Sequence, residues 1–351
     1  MKFAHYKILA VTFAVLAVSF LTNIFAVNSL ADNQAQSRPQ LPKPKHQEPK
    51  EQEPQDDPGG NIKLGTALVV LDVTVVDQSN NPVMDMAQTN FQIFEDKVPQ
   101  EIKFFTREQV PVSLVFTIDT SGSMRSKLDT VIKASSNLVK ESRAGDEMAI
   151  IEFKEQPELL EEFTGDTQDV IDTLQSLVAS RQTAMLDALY IGAEYANKEA
   201  KNRRKAVILV TDGLDKDSYY KFNEVVEHLR EADVQVYLIG FTNDLDKDSS
   251  LFTKSPKTKA EALLTKLAEE TGGKAFFPKE LSETHTIAQQ ISTDLRTQYS
   301  IGYYPTNSKK DGTFRSVKVQ VSAGNRRIVA RTRNGYNAPR EGEQQHSSVN
   351  K

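Results

Sequence analysis

Asp119-Thr120-Ser121-Gly122-Ser123 sets one carboxylate and two ligand hydroxyls, Asp119, Ser121 and Ser123, on a single short turn. All three are oxygen donors, the type that hard divalent cations such as Mg²⁺ prefer. The apolar run before them, residues 112–118, reads as a buried strand, and Gly122 allows the turn to be tight. A second apolar run, 206–210, ends in Thr211-Asp212-Gly213, so Asp212 occupies the same position at another strand end. Thr183, just ahead of a helical stretch, adds a third hydroxyl. Groups at the C-terminal ends of parallel strands share one rim, where α/β sheets bind ligands. The predicted metal ligands are therefore Asp119, Ser121, Ser123, Thr183 and Asp212. Two carboxylates and three neutral oxygens leave a divalent cation short of negative charge, so the site favours an acidic group arriving from outside. Mg²⁺ suits it best, with Mn²⁺ and Ca²⁺ as further candidates.

Other chemistries find little support. The chain has no cysteine, which removes disulfides, thiolate catalysis and cysteine-bound zinc. None of the five histidines forms a His-Glu-x-x-His motif or pairs at ligand spacing; His228 and His285 read as helix-surface residues. Ser121 and Ser123 have no nearby base and no Gly-x-Ser-x-Gly elbow, and no P-loop is present. Asp244-Leu245-Asp246-Lys247-Asp248 resembles the first half of a calcium loop, but Ser249 stands where the sharp turn needs glycine and Ser255 where it needs glutamate. The stretch 242–257 follows a strand and lies on the metal face, either shaping a partner surface or simply solvated. Net charge is −5 with no basic block, which argues against nucleic acid.

The elements that must position these groups are legible from periodicity. Strands are expected at 112–118, 147–153, 205–211, 234–240 and 274–277, with 158–163 as an antiparallel edge. Helices are expected near 126–141, 167–178, 184–200, 220–232 and 259–271. This alternation predicts an α/β fold with a doubly wound, mostly parallel sheet covered on both faces. On the N-terminal side, 66–76, 91–95 and 100–106 read as strands; on the C-terminal side, a helix at 283–297 precedes strands at 298–304, 314–321 and 327–333. Three strands with one apolar face need a partner layer, so the two ends are expected to combine into a small flanking β-domain. Tyr303-Tyr304 reads as strand packing.

The N-terminus carries a route out of the cytoplasm. Lys2 and Lys7 precede the apolar run 8–21, and Ser29-Leu30-Ala31 supplies small residues for cleavage. An uncleaved membrane anchor is the alternative reading. Residues 32–60 hold six of the 14 prolines, many Gln, Glu and Lys, and almost no apolar side chain, the composition of a disordered tether. The expected organisation is a signal peptide or anchor at 1–31, a linker at 32–60, β-domain segments at 61–108 and 283–339 around an α/β domain at 109–282, and a tail at 340–351.

Taken together, residues 110–280 resemble the von Willebrand factor type A domain and its metal-ion-dependent adhesion site. Asp119, Ser121 and Ser123 match the Asp-x-Ser-x-Ser element, Thr183 the middle threonine and Asp212 the final aspartate. The resemblance implies that the hydroxyls ligate the metal directly, that the aspartates do so directly or through water, and that one position stays open for a partner's acidic group. The threonine loop departs from the frequent Gly-Gly-Thr, reading Arg181-Gln182-Thr183. A cation there either weakens metal binding or attracts an acidic partner. The flanks, with Asn90-Phe91, Phe94-Glu95-Asp96 and Tyr303-Tyr304-Pro305, resemble bacterial secreted proteins described as VWFA-related. The expected function is that of an extracytoplasmic, non-enzymatic binding or adhesion protein whose partner is a protein or surface presenting a carboxylate. A structural or assembly component of the envelope is the alternative, and a metal-dependent hydrolase a remote one.

Overall fold

The computed structural model describes residues 68–107, 109–180, 183–246, 255–280 and 282–341. The expected N-terminal leader or anchor, the expected linker and nearly all of the expected C-terminal tail lie outside them, as do Arg181, Gln182 and the stretch 247–254. Among the described residues, no helix is long and apolar enough to cross a membrane.

The chain begins in β structure: β1 (Val69–Asp77), β2 (Phe91–Glu95), β3 (Val98–Gln100) and β4 (Ile102–Thr106). It then alternates. β5 (Val112–Asp119) leads to α1 (Leu128–Lys140) and β6 (Glu147–Phe153), which turns back as β7 (Pro157–Thr164). Helices α2 (Thr167–Gln175) and α3 (Met185–Glu199) cross to β8 (Arg204–Thr211). Then come α4 (Phe222–Ala232), β9 (Gln235–Gly240), α5 (Pro256–Thr271), β10 (Lys274–Phe276) and α6 (Glu283–Arg296). The chain closes with β11 (Gln298–Tyr303), β12 (Phe314–Val321), β13 (Ile328–Arg331) and β14 (Gly335–Asn337).

The six-stranded sheet runs β10-β9-β8-β5-β6-β7, parallel except for β7, which pairs antiparallel with β6 at the edge. Its strands are apolar on both sides because both sides are covered. Leu114, Phe116 and Ile118 pack with Val131, Leu138, Leu174, Ile291 and Leu295 of α1, α2 and α6. Val115, Val207 and Leu209 pack on the other face with Leu189, Val225, Leu229 and Leu264 of α3, α4 and α5. This is the doubly wound α/β architecture that the alternation predicts.

The two chain ends form two four-stranded sheets, β13-β1-β11-β4 and β14-β12-β2-β3, that share one core. Leu71, Val73, Tyr299 and Ile301 of the first sheet meet Phe91, Ile93 and Val317 of the second. Tyr303, fully buried, and Tyr336 both donate to one oxygen of Glu95 at 2.8 Å, which satisfies that buried carboxylate. Tyr304, by contrast, is exposed, so only the first residue of the pair packs in the core.

Two expectations need correction, and one short strand was not foreseen. The single strand at 100–106 divides: Gln100 ends the hairpin β2–β3, which turns at Asp96-Lys97 with both residues at positive φ, and β4 crosses into the other sheet. Alternation of side chains continues through the crossing, so periodicity cannot detect it. Helix α5 starts at Pro256, three residues early, with the Ser255 side chain accepting from the Thr258 N–H; Ser-Pro is a recognisable helix start. β14 has three residues, too short for a pattern.

The sandwich meets the parallel sheet at the end opposite the strands' C-termini. Arg203 and Arg204, where β8 begins, reach Asp72 on β1, and Arg204 also donates to the Leu295 carbonyl at 2.9 Å. Arg296 at the end of α6 pairs with Asp146 at 2.7 Å.

Candidate metal centre

β5 and β8 are adjacent and parallel, with Ile118 opposite Val210, so Asp119 and Thr211-Asp212 emerge side by side. From β5 the chain first moves outward to β6 and later crosses back to β8 and β9 on the other side. The rim between β5 and β8 is therefore the point where strand order reverses, where open α/β sheets leave a crevice.

Asp119 is fully buried. One carboxylate oxygen accepts from the Ser121 N–H at 2.9 Å and the other from the Thr211 hydroxyl at 2.7 Å. Thr211 is itself oriented by the Gly213 N–H, which donates to its hydroxyl at 3.0 Å. Asp212 is equally inaccessible; its Oδ1 accepts from the Leu214 N–H at 3.1 Å, and its Oδ2 is buried with no hydrogen-bond partner. Burial pushes the Asp119 carboxyl up to about 6, and the neighbouring Asp212 charge adds to the rise against the hydrogen bonds from Ser121 and Thr211. Neither aspartate has a cationic side chain paired with it among the described residues. Two buried carboxylates thus stand together without a counter-charge, an arrangement that costs free energy unless a cation completes it.

The hydroxyls lie on the same rim. Ser121 Oγ and Ser123 Oγ are 3.0 Å apart, Ser121 buried and Ser123 exposed. The turn that carries them is closed by Met124 N–H donating to the Ser121 carbonyl at 3.0 Å. The Ser180 N–H donates to the Thr120 carbonyl at 2.6 Å, which draws the 176–180 loop against the Asp119 turn. Thr183 is buried; its hydroxyl donates to the Leu214 carbonyl at 3.3 Å, and its own carbonyl accepts from Lys216 and Asp217 N–H groups. Thr183 is thereby tied to the loop that follows Asp212. The donor set fits a hard divalent cation: a buried carboxylate oxygen without a partner, a second carboxylate beside it, and hydroxyls with lone pairs to spare.

Several positioning residues escaped the sequence reading. The free N–H groups at the start of α3 are capped from the loop after Asp212: Met185 N–H donates to Asp215 at 2.9 Å and Leu186 N–H to Ser218 Oγ at 3.1 Å. In return Asp187 accepts from the Tyr219 and Tyr220 N–H groups at 3.0 and 2.9 Å. This reciprocal lacing fixes Thr183 relative to Asp212. Asp and Ser flanking a helix start are a capping signal, but the caps come from a distant loop, which spacing does not reveal. Glu152 also lies near the rim, accepting from the Thr120 hydroxyl at 2.7 Å. His228, expected on a helix surface, is half-buried with its ring stacked on Tyr190 at 3.8 Å. The residues 242–246 form a short helical turn beside the rim, where Lys127 donates to the Phe241 carbonyl and pairs with Asp244.

Comparison with known proteins gives one family. Residues 113–290, just over half of the chain, match the family described as von Willebrand factor type A domain. No curated protein matches the chain. Among solved structures, the chain is similar to the conserved hypothetical protein BatB from Bacteroides thetaiotaomicron, at 21% identity and a TM-score of 0.41, covering 52% of this chain and 98% of that one. It is similar to the vWF domain of the type V pili tip protein Mfa5 from Porphyromonas gingivalis, at 15% identity and a TM-score of 0.42, covering 53% of this chain and 97% of that one. A third similar structure is the PilB minor pilin from Streptococcus sanguinis, at 16% identity and a TM-score of 0.40, covering 54% of this chain and 63% of that one.

Proposed function

The chain belongs to the von Willebrand factor type A domain family, and from that premise we propose that it is an extracytoplasmic binding protein that captures an acidic group of a protein or surface partner through a divalent cation. Asp119, Ser121, Ser123, Thr183 and Asp212 would hold the cation, with Mg²⁺ the best match to an all-oxygen set. The observation that carries this reading is the uncompensated pair Asp119–Asp212, with Asp212 Oδ2 buried and without a partner. When bound, the cation supplies positive charge that a partner carboxylate can complete. The chain's own residues do the rest: Thr211 and the Ser121 N–H hold Asp119, Leu214 N–H holds Asp212, and the Asp187–Asp215 lacing holds Thr183. Binding rather than catalysis fits the family and the set of groups at the rim.

Capture of partners from a native envelope fraction tests the proposal. Wild type is expected to retain a partner in Mg²⁺ and release it in EDTA. Capture by chelated wild type, or by a folded Asp119→Ala variant, equal to that of wild type in Mg²⁺ would sink it.

The proposal has a pH signature. Metal uptake requires the charged form of Asp119, whose folded-state pKa lies near 6 rather than its ordinary 3.8. Below about pH 6 the cation must displace a proton, so metal affinity is expected to fall about fivefold between pH 6 and 5 and to approach tenfold per unit below that. Calorimetric titration with Mn²⁺ from pH 5 to 8 checks this; a flat profile across pH 6 contradicts it.

A further inference from the structure

We propose that the rim beside the metal site is a two-part recognition surface in which Tyr219 receives an aromatic or aliphatic side chain of an acidic protein segment whose carboxylate completes the cation. The inference rests on the metal-dependent reading above and deepens it by naming the partner class.

The observation is a partly exposed ring supported from one side and left open on the other. Tyr219 is 42% exposed, on the loop that runs from Asp212. Its ring sits edge-on to Tyr220 at 5.3 Å; Tyr220 stacks on Tyr190 at 3.8 Å, and Tyr190 on His228 at 3.8 Å. Its backbone is pinned by the Asp187 carboxylate. A surface tyrosine fixed in this way loses little entropy on binding, which is why rigid aromatics dominate contact energies at protein interfaces. Val178, on the loop that leads to Thr183, is 74% exposed and adds a second apolar contact at the rim.

Charge selects the occupant. Arg125, two residues after Ser123, and Lys216, four after Asp212, are both exposed, and neither forms an ion pair among the described residues. Lys216 is flanked by Asp215 and Asp217, so the net attraction at the rim comes from Arg125 and the bound divalent ion, which favour a segment carrying a carboxylate. An aliphatic residue and an edge-supported ring fit a peptide side chain better than a sugar, which needs an open aromatic face bordered by hydrogen-bonding groups.

The test uses the full chain, immobilised in Mg²⁺, with displayed nine-residue random peptides carrying one fixed Asp, and elution by EDTA. A parallel library with fixed Asn is the reference. Wild type is expected to enrich aromatic or aliphatic residues within about four positions of the Asp, and to enrich nothing from the Asn library. For the strongest synthetic peptide, Tyr219→Ala should weaken binding about 10- to 30-fold and Tyr219→Phe no more than about twofold. Arg125→Ala should weaken it about threefold and reduce its salt dependence. Enrichment of acidic peptides with no apolar preference, or the same preference on Tyr219→Ala, overturns this inference and leaves the metal–carboxylate reading standing. Absence of any EDTA-sensitive, Asp-dependent enrichment overturns both. EDTA-insensitive binding of a neutral glycan that is lost in Tyr219→Ala overturns the inference in favour of sugar recognition.

Discussion

In EDTA, Asp119→Asn is expected to melt about 2–6 °C above the wild type, and to lose all response to added Mg²⁺. The first half follows from the rise of the Asp119 carboxyl from 3.8 to about 6. A shift of that size means that folding disfavours the charged form, by at most about 3 kcal/mol. Sign follows from linkage: the folded state holds a proton that the unfolded state has already released between about pH 4 and 6, so stability falls as pH rises through that window and stays low above it. Asparagine keeps the shape and the acceptor for the Ser121 N–H, and removes the charge that repels Asp212. Its amide donates to the Thr211 oxygen once that hydroxyl turns. Part of the gain is lost to imperfect geometry, leaving about 1–2 kcal/mol, which in a domain of this size corresponds to the stated shift. Wild type, in contrast, gains stability from Mg²⁺ as RT ln(1 + [L]/Kd), and Asp119→Asn gains none. Differential scanning calorimetry with EDTA and with 5–10 mM Mg²⁺, taken as roughly saturating for such sites, reads both effects. A variant less stable than wild type in EDTA would show that the carboxylate is satisfied without metal.

The same residue shows what a sequence can and cannot disclose. Asp119 and Asp212 were legible because each follows an apolar strand, and the doubly wound order places two such strand ends together. Thr183 was legible only as the third member of that pattern. The residues that hold these three in place were not. Asp187 and Asp215 look like ordinary helix-flanking acids, and their roles as caps for each other's loops exist only after the 183–220 segment has folded back. Alternation puts Glu95 on the same face as the buried Phe91 and Ile93, but nothing in the strand says that Tyr303 and Tyr336 from the far end of the chain satisfy its carboxylate there. Local patterns report burial and period; they carry no information on which distant polar group meets which. The loss is greatest where polar groups are buried, because there the partner, not the residue type, decides the energy.

Arg204 is the extreme case of that loss, and the second large effect arises there. Asp72→Ala is expected to destabilise the protein by about 3–5 kcal/mol. Asp72 Oδ1 accepts from Arg203 at 2.8 Å, from Ser300 Oγ at 2.8 Å and from Arg204 at 3.4 Å. Arg204 is fully buried, and without Asp72 it keeps only the Leu295 carbonyl and the Ser300 hydroxyl. Burial by itself would raise the Asp72 carboxyl; Arg204 and Arg203 outweigh it and hold the group below its ordinary 3.8. This contribution is therefore complete above about pH 4 and lost as pH falls through the lowered pKa, opposite in sign to that of Asp119. Removing the arginine as well should recover much of the loss, since the penalty is a stranded charge: Asp72→Ala with Arg204→Met is expected to lie closer to wild type than Asp72→Ala alone. Urea denaturation at pH 7 measures the three, and a single-variant loss below about 1 kcal/mol would refute the argument. Arg204 begins β8 and Asp212 follows its end, so about 25 Å of strand separates the two. Mg²⁺ affinity in Asp72→Ala should then match wild type under folding conditions, because the sandwich junction stabilises the sheet from one end while the cation is held at the other.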